Sequence, residues 1–460
     1  MAAQDSSPAD LGPAATAEKN DRCTYTDRET GNEDPLAQTA ESEKEIGVST
    51  DNETSIDETD KIPDGGAAAW LVILGAWCAS FCAYGWINTV GTFQVYYETG
   101  PLRDYSSSEI SWIPSLQIFF MSFLGPIIGR IYDRYGLRIL VIVGSFMHVF
   151  GLMMASLSSE YYQLLLSQGV CSAIGVAAVF ICAITVISEW FSTRRGLAFG
   201  VMATGASVGG VVFPIMISNM IRTVGYGWAM RTAAFVILVL LIITNLTLRS
   251  RRVRTHTKLP RSSLIKPFHE IAFVVLLAGL FLVPFGLYVP VTYIPSVALG
   301  AGLETEMAQN LVAIYNASSL VGRLGSGYIS DKLGKYNSFI VACYMSGTLI
   351  LAMWIPAHGL PVTVTFTVLF GIFSGAYISL MAALVAQISP PEELGYRNGL
   401  TFFVSAIGGL ITSPIAGAIL EGPGSWVGLK VFAGVMMISG TSAILAARIL
   451  KTGPNLRAVF

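Results

Sequence analysis

Hydrophobic residues in this chain come in long blocks separated by short polar breaks. Twelve such runs lie near 68–97, 108–129, 139–157, 162–188, 197–220, 229–248, 271–299, 306–329, 338–356, 362–388, 399–420 and 427–448. About 20 apolar helical residues cross a bilayer core, so every run is long enough to span one. Several contain Gly, Pro or Ser, which membrane helices tolerate where neighbouring helices satisfy the freed backbone groups. The pattern predicts an all-α integral membrane protein of twelve transmembrane helices.

Composition agrees with the pattern and adds a division of charge. Only 13% of the 460 residues are charged and 53% are hydrophobic. A soluble domain carries about 25% charged residues, so this chain has too few to cover a water-facing surface. Residues 1–64 hold 17 of the 30 acidic residues but 5 of the 28 basic ones, so a formal net charge of −2 conceals an acidic tail and a basic remainder. The tail, residues 1–63, has almost no large apolar residues, and it is expected to be disordered because it cannot offset its ordering entropy by burial. It has neither the apolar core of a signal peptide nor a Met-Gly start.

Basic residues also orient the spans. With both termini in the cytosol, the inner loops and C-terminal tail hold 18 Lys and Arg, from Arg130 to Arg457, against 4 outside: Arg103, Arg222, Arg231 and Lys430. The positive-inside rule selects that orientation. Residues 251–269 form a basic connection after six spans and before six more, the expected linker between residues 64–250 and residues 270–460. Its positive charge reads as topology and lipid contact, not as a nucleic-acid site.

The two halves share a motif. Gly129-Arg-Ile-Tyr-Asp133-Arg134-Tyr-Gly136-Leu-Arg138 lies between the second and third runs, and Gly327-Tyr-Ile-Ser-Asp331-Lys332-Leu-Gly334-Lys335 between the eighth and ninth. Both fit Gly-x-x-x-Asp-Arg/Lys-x-Gly, at corresponding places in two six-helix bundles related by an axis along the membrane normal. The Gly permits close helix approach. The Asp, at a helix end, can meet the positive N-terminus of a neighbouring helix. Asp133, Arg134, Arg138, Asp331 and Lys332 are therefore candidate gate residues, holding one bundle against the other at the cytosolic face.

Here the sequence resembles the major facilitator superfamily, over residues 64–450. Within it, Asp64-Gly65-Gly66 before the first span looks like the opening motif of the monocarboxylate transporter family. Trp190-Phe191-Ser-Thr-Arg194-Arg195-Gly196-Leu-Ala198-Phe-Gly200 looks like that family's second signature. The arrangement, with its acidic tail, most resembles fungal members. The drug/proton antiporter pattern fits less well: Gln168-Gly169 is present, but Leu165 stands where those proteins carry Arg. The resemblance implies a secondary transporter with two pseudo-symmetric six-helix bundles that rock about a midplane site.

Arg323 is the one cation deep within a span. It lies eight residues before Asp331, about 12 Å along a helix. Such a residue usually faces a cavity or a partner, and a guanidinium suits a carboxylate. The resemblance implies the same role, since monocarboxylate carriers hold substrate with an Arg at this place in the eighth span. The alternative is an Arg that snorkels to the membrane face or caps carbonyls. Tyr84 and Asn88 share a face of the first helix, Asn316 lies two turns before Arg323, and Phe373 and Tyr377 form a further pair. Arg323, Asn88, Tyr84, Asn316 and Phe373 are thus the candidate substrate-binding residues. The carriers' proton-handling Lys and Asp are replaced by Asn88 and Ser319. Glu98, Glu109 and Glu189 lie near span ends, and His148 in the third span is a candidate for coupling, although a lone intramembrane His is more often hydrogen-bonded packing.

The expected function is alternating-access transport of a small or medium carboxylate-bearing solute by a monomer in the lipid bilayer, with protons as a candidate coupling ion. Two other readings keep the fold: an exporter of a fungal metabolite (or a vitamin carrier), and a nutrient sensor that does not transport. No nucleotide-binding Gly-x-x-x-x-Gly-Lys-Ser/Thr exists in the sequence. No cofactor is expected, and the six cysteines, five of them in apolar runs, read as small buried hydrophobes. Enzymatic activity is not expected, because catalytic or metal-ligand spacing is lacking. The plasma membrane is the expected location, with the vacuolar membrane as an alternative.

Overall fold

The computed structural model describes residues 62–460 apart from 90–91, 94–95, 98–99, 252–261, 301–303, 358, 422–424 and 456–459. The expected disordered tail and most of the basic linker lie outside the described residues. Every regular element among the described residues is helical.

Twelve long helices follow the twelve apolar runs. They are α1 (Ala67–Gly85), α2 (Trp112–Tyr135), α3 (Leu137–Ala155), α4 (Tyr161–Trp190), α5 (Arg195–Val224), α6 (Tyr226–Thr247) and α7 (Ile271–Gly300). The remainder are α8 (Thr305–Leu333), α9 (Lys335–Trp354), α10 (Leu360–Ile388), α11 (Leu394–Glu421) and α12 (Ser425–Thr452). Eleven are long and apolar enough to cross a membrane. The other, α8, is long enough at 29 residues but carries Arg323, Asp331 and Lys332 along its length. A short helix, Ser262–His269, leads from the linker into α7.

Two differences from the sequence expectation concern helix ends. The first span ends well short of residue 97: α1 is wound as a π-helix over Phe81–Gly85 and turns at Asn88. The repeated motif does not form loops. Asp133 and Arg134 lie in the last turn of α2, and a single residue, Gly136 at φ 88°, leads into α3. In the second half Asp331 and Lys332 end α8, and Gly334 at φ 94° leads into α9. Left-handed φ is unfavourable for any residue with a Cβ, so the motif's second Gly is what permits a one-residue reversal.

Helices α1–α6 pack mainly among themselves, through α3 on α4 and α1 on α5 and α6. Helices α7–α12 do likewise, through α7 on α11 and α12 and α10 on α8 and α9. Large apolar side chains such as Ile139, Phe146, Leu246 and Ile271 point outward. That is the inverse of a soluble surface and fits a hydrocarbon surround. The bundles meet chiefly along two seams, α2 with α11 and α5 with α8. Both are lined by glycine. Gly125 and Gly129 of α2 lie against Gly395 and Gly399 of α11, and Gly196 and Gly200 of α5 against Gly327 and the Arg323 carbonyl of α8. A methyl group at Gly129 would run into the Gly395 carbonyl. Small residues spaced four apart let helix backbones touch without a hydrophobic driving force.

Candidate functional site

The seams end in two crossed carboxylate contacts. Asp133 of α2 accepts hydrogen bonds from the Gly395 and Tyr396 N–H groups at 2.9 and 2.7 Å, in the first turn of α11. Asp331 of α8 accepts from the Gly196 and Leu197 N–H groups at 2.7 and 2.8 Å, in the first turn of α5. Each bundle thus offers one aspartate and one helix N-terminus to the other. The bonds satisfy N–H groups that a helix start leaves unpaired, and the carboxylate charge complements the helix dipole. Of the neighbouring cations, Lys335 and Arg195 lie within electrostatic range of Asp331. Arg134 lies over the Tyr135 ring, Lys332 over the Tyr328 ring, and Arg138 is exposed. Arg195 also bridges the seam, donating to Phe191 O at 2.9 Å within its own bundle and to Ala386 O of α10 at 3.3 Å.

Deeper along the α5–α8 seam, Arg323 is 6% exposed. Its Nη1 donates to Ala203 O of α5 at 2.7 Å, and its Nε is buried without a partner. One turn away, the Ser319 hydroxyl is also buried and unpartnered. Two turns away, Tyr315 pairs with Ser374 of α10 at 3.3 Å and stacks on Phe370. Three further tyrosines lie in its neighbourhood. Tyr315 lies within electrostatic reach of Arg323 and of Tyr288 in α7, and Tyr288 lies within reach of Tyr84 in α1 and Tyr377 in α10. Tyr84 rests on Phe180, which rests on Phe402 of α11. Arg323, Tyr315, Tyr288, Tyr84 and Tyr377 therefore form a chain of neighbours that runs from α8 through α7 to α1 and α10.

The other expected residues are placed differently. Asn88 sits at the exposed end of α1, donates to Tyr84 O at 2.8 Å and packs on Gly210. Asn316 and Phe373 are half-buried. His148 is fully buried inside the first bundle, its Nδ1 2.8 Å from Ser172 Oγ and its Nε2 buried without a hydrogen-bond partner among the described residues. Glu109 bonds to Ser106, and Glu98 lies outside the described residues. Glu189 accepts from Tyr132 at 2.8 Å and from Ser250 at 2.7 Å, tying the end of α4 to the chain leaving α6.

Sequence reasoning missed one buried ionic cluster. Arg397, which reads as a loop cation, is 0% exposed in α11 and forks onto Glu270 at 2.6 and 2.8 Å. It also bonds Glu393 at 2.8 and 3.0 Å and lies over the Phe273 ring. Hydrogen bonding from Arg397 holds the Glu270 carboxyl below its ordinary value of 4.5. A depressed carboxylate stabilises the fold above its unfolded-state pKa, and that contribution is lost as pH falls through the folded-state value. The melting temperature of purified protein is therefore expected to fall once pH drops below 4.5, and less steeply in Glu270→Gln. Parallel wild-type and variant curves would refute this.

Residues 72–363 match the Major Facilitator Superfamily. The chain belongs to that family. Among its relatives is the MFS transporter asaE of Aspergillus flavus, 52% identical over 419 residues, which are 90% of this chain and 95% of that protein. The Fujikurins efflux protein of Gibberella fujikuroi is 56% identical over 400 residues, 86% of each chain. The Aspyridones efflux protein apdF of Emericella nidulans is 35% identical over 86% of this chain and 81% of its own. The same fold is seen in the solved structure of the facilitator FucP in the outward conformation (TM-score 0.67, 14% identity, 82% of this chain and 98% of that one). In this facilitator the motif aspartates and Arg323 lie on the seams where the two bundles meet.

Proposed function

We propose that the protein exports an acidic secondary metabolite by alternating access, rocking residues 64–250 against residues 270–450. Arg323 carries this reading. It is a guanidinium buried on the inter-bundle seam, bound to a carbonyl of the opposite bundle and, among the described residues, paired with no carboxylate. A cation so placed needs an anion, and a planar fork of donors suits a carboxylate or another delocalised acid. The relatives whose names specify efflux of fungal products favour export over uptake of a small monocarboxylate. Asn88 and Ser319, where monocarboxylate carriers hold a Lys and an Asp, point the same way, because neither titrates near neutral pH. The aromatic side chains near Arg323, Tyr315 stacked on Phe370 among them, favour a larger, flat cargo over a two- or three-carbon acid.

The excess of basic residues at the motif end assigns that end to the cytosol. On this reading Asp133 and Asp331 form the cytosolic gate, and the crossed contacts they make hold it closed. The test is uptake into inside-out vesicles of a panel running from short carboxylic acids to aromatic and polyketide-type acids, with and without a pH gradient. Accumulation of a large acid and exclusion of the short ones supports the proposal. Movement of short acids alone would return the reading to a monocarboxylate carrier.

A further inference from the structure

Two carboxylates outside the repeated motif hold the N-termini on which the motif aspartates dock. Asp64 stands just ahead of α1. Its Oδ1 accepts from the N–H groups of Ser192, Thr193 and Arg194 at 2.6, 2.7 and 3.4 Å, and its Oδ2 from the Thr193 hydroxyl at 2.7 Å. Its own N–H donates to Trp190 O at 3.2 Å. These five groups lie in the segment that leads into α5, where the N–H groups of the second and third residues hold Asp331. Asp64 is also the one non-glycine among the described residues with positive φ, at 51°. An L-residue stays in that region only where its surroundings over-determine it.

Glu270 stands just ahead of α7, the corresponding place in the second half. Through its fork with Arg397 it grips the first turn of α11, whose Gly395 and Tyr396 N–H groups hold Asp133. The helix before α7 adds to the grip: Tyr396 Oη donates to Leu264 O at 3.2 Å, and Lys266 reaches Glu393 at 3.4 Å. Each gate helix is thus held by two acids, one from its own bundle and one from the other.

We infer that Asp64 and Glu270 are positioning residues for the cytosolic gate, each setting the helix N-terminus that its bundle presents to the opposite motif aspartate. The inference rests on the gate reading above. It makes a specific claim about pairing: Asp64 acts with Asp331 through α5, and Glu270 acts with Asp133 through α11. A merely stabilising role would give no such pairing.

The experiment uses the full chain with its six cysteines replaced and Ala203→Cys as reporter. Ala203 is 3% exposed behind the α5–α8 seam. An impermeant maleimide is added to the cytosolic face of inside-out vesicles, and only protein that afterwards elutes as a single folded species is scored. Asp331→Asn, Asp133→Asn, Asp64→Asn and Glu270→Gln are each expected to raise the labelling rate roughly tenfold, the ratio that corresponds to one lost charge-assisted hydrogen bond. Asp64→Asn combined with Asp331→Asn is expected to fall well short of the product of the single effects, as is Glu270→Gln with Asp133→Asn. The crossed combinations should multiply. Thr193→Val, which removes one donor and keeps the charge of Asp64, should act in the same direction more weakly.

Faster labelling in the motif variants with no change for Asp64→Asn and Glu270→Gln would overturn the positioning role and leave the gate reading intact. Equal multiplication in all four combinations would also overturn it, since it would mean general loosening. No change in the motif variants themselves would remove the gate and the inference together.

Discussion

Arg323→Ala is expected to abolish export of the acidic cargo while leaving the protein folded. Truncating one member of a desolvated charge pair costs roughly 2–5 kcal/mol, at least about a thirtyfold loss of affinity. Stability should move the other way. Arg323 is buried with its Nε unpartnered and one bond to Ala203 O. Removing such a charge relieves a desolvation penalty, so the empty variant should melt no lower than wild type. Arg323→Lys keeps the charge but not the fork, and should fall between the two. Initial rates across substrate concentration, paired with melting curves, test both halves of the claim. Wild-type rates in Arg323→Ala would remove Arg323 from the binding site, and a large fall in melting temperature would make it a structural cap of the Ala203 carbonyl.

Arg397→Met should do the reverse and strike stability first. The guanidinium is wholly enclosed and serves two carboxylates, of which the Glu393 side chain is 7% exposed. Taking away one partner of a buried ion pair leaves an uncompensated charge, at about 3–5 kcal/mol. Lys266 also reaches Glu393, so it offsets part of that loss. A melting temperature lowered by several degrees is expected at a fixed heating rate, with loss of the gate contact at Tyr396. The combined change Arg397→Met with Glu393→Leu and Glu270→Gln should recover most of the stability, because no buried charge is then left alone. Failure of that combination to recover would mean that Arg397 acts through packing on Phe273 and not through charge.

How much of this was legible in the chain differs from feature to feature. The helices were legible, because a membrane span is a local property: a run of apolar residues decides its own solvent and closes its own backbone hydrogen bonds. The duplication was legible for a similar reason, since Gly129–Arg138 and Gly327–Lys335 repeat one local pattern in register. Arg323 stood out because a single cation in an apolar run is conspicuous without any partner in view. The continuation of α2 and α8 through the motif was not legible from hydropathy. Polarity begins at Arg130 and Ser330, whereas the helices run on to Gly136 and Gly334, where positive φ ends them.

By itself, then, the sequence determined the number of helices, many of their limits to within a few residues though not the end of the first, the two-fold repeat and the buried cation. Tertiary structure alone decided the partners. Asp331 finds Gly196 across 135 positions, Arg397 finds Glu270 across 127, and Asp133 finds Gly395 across 262. Arg397 counts only as one of the cytosolic-side cations, and nothing in the pattern singles out Glu270, Tyr288 or Tyr315. Their pairings depend on which helix faces are brought together when the bundles close, and that is settled by glycine contacts and shape along the α2–α11 and α5–α8 seams, not by the polarity of any single segment.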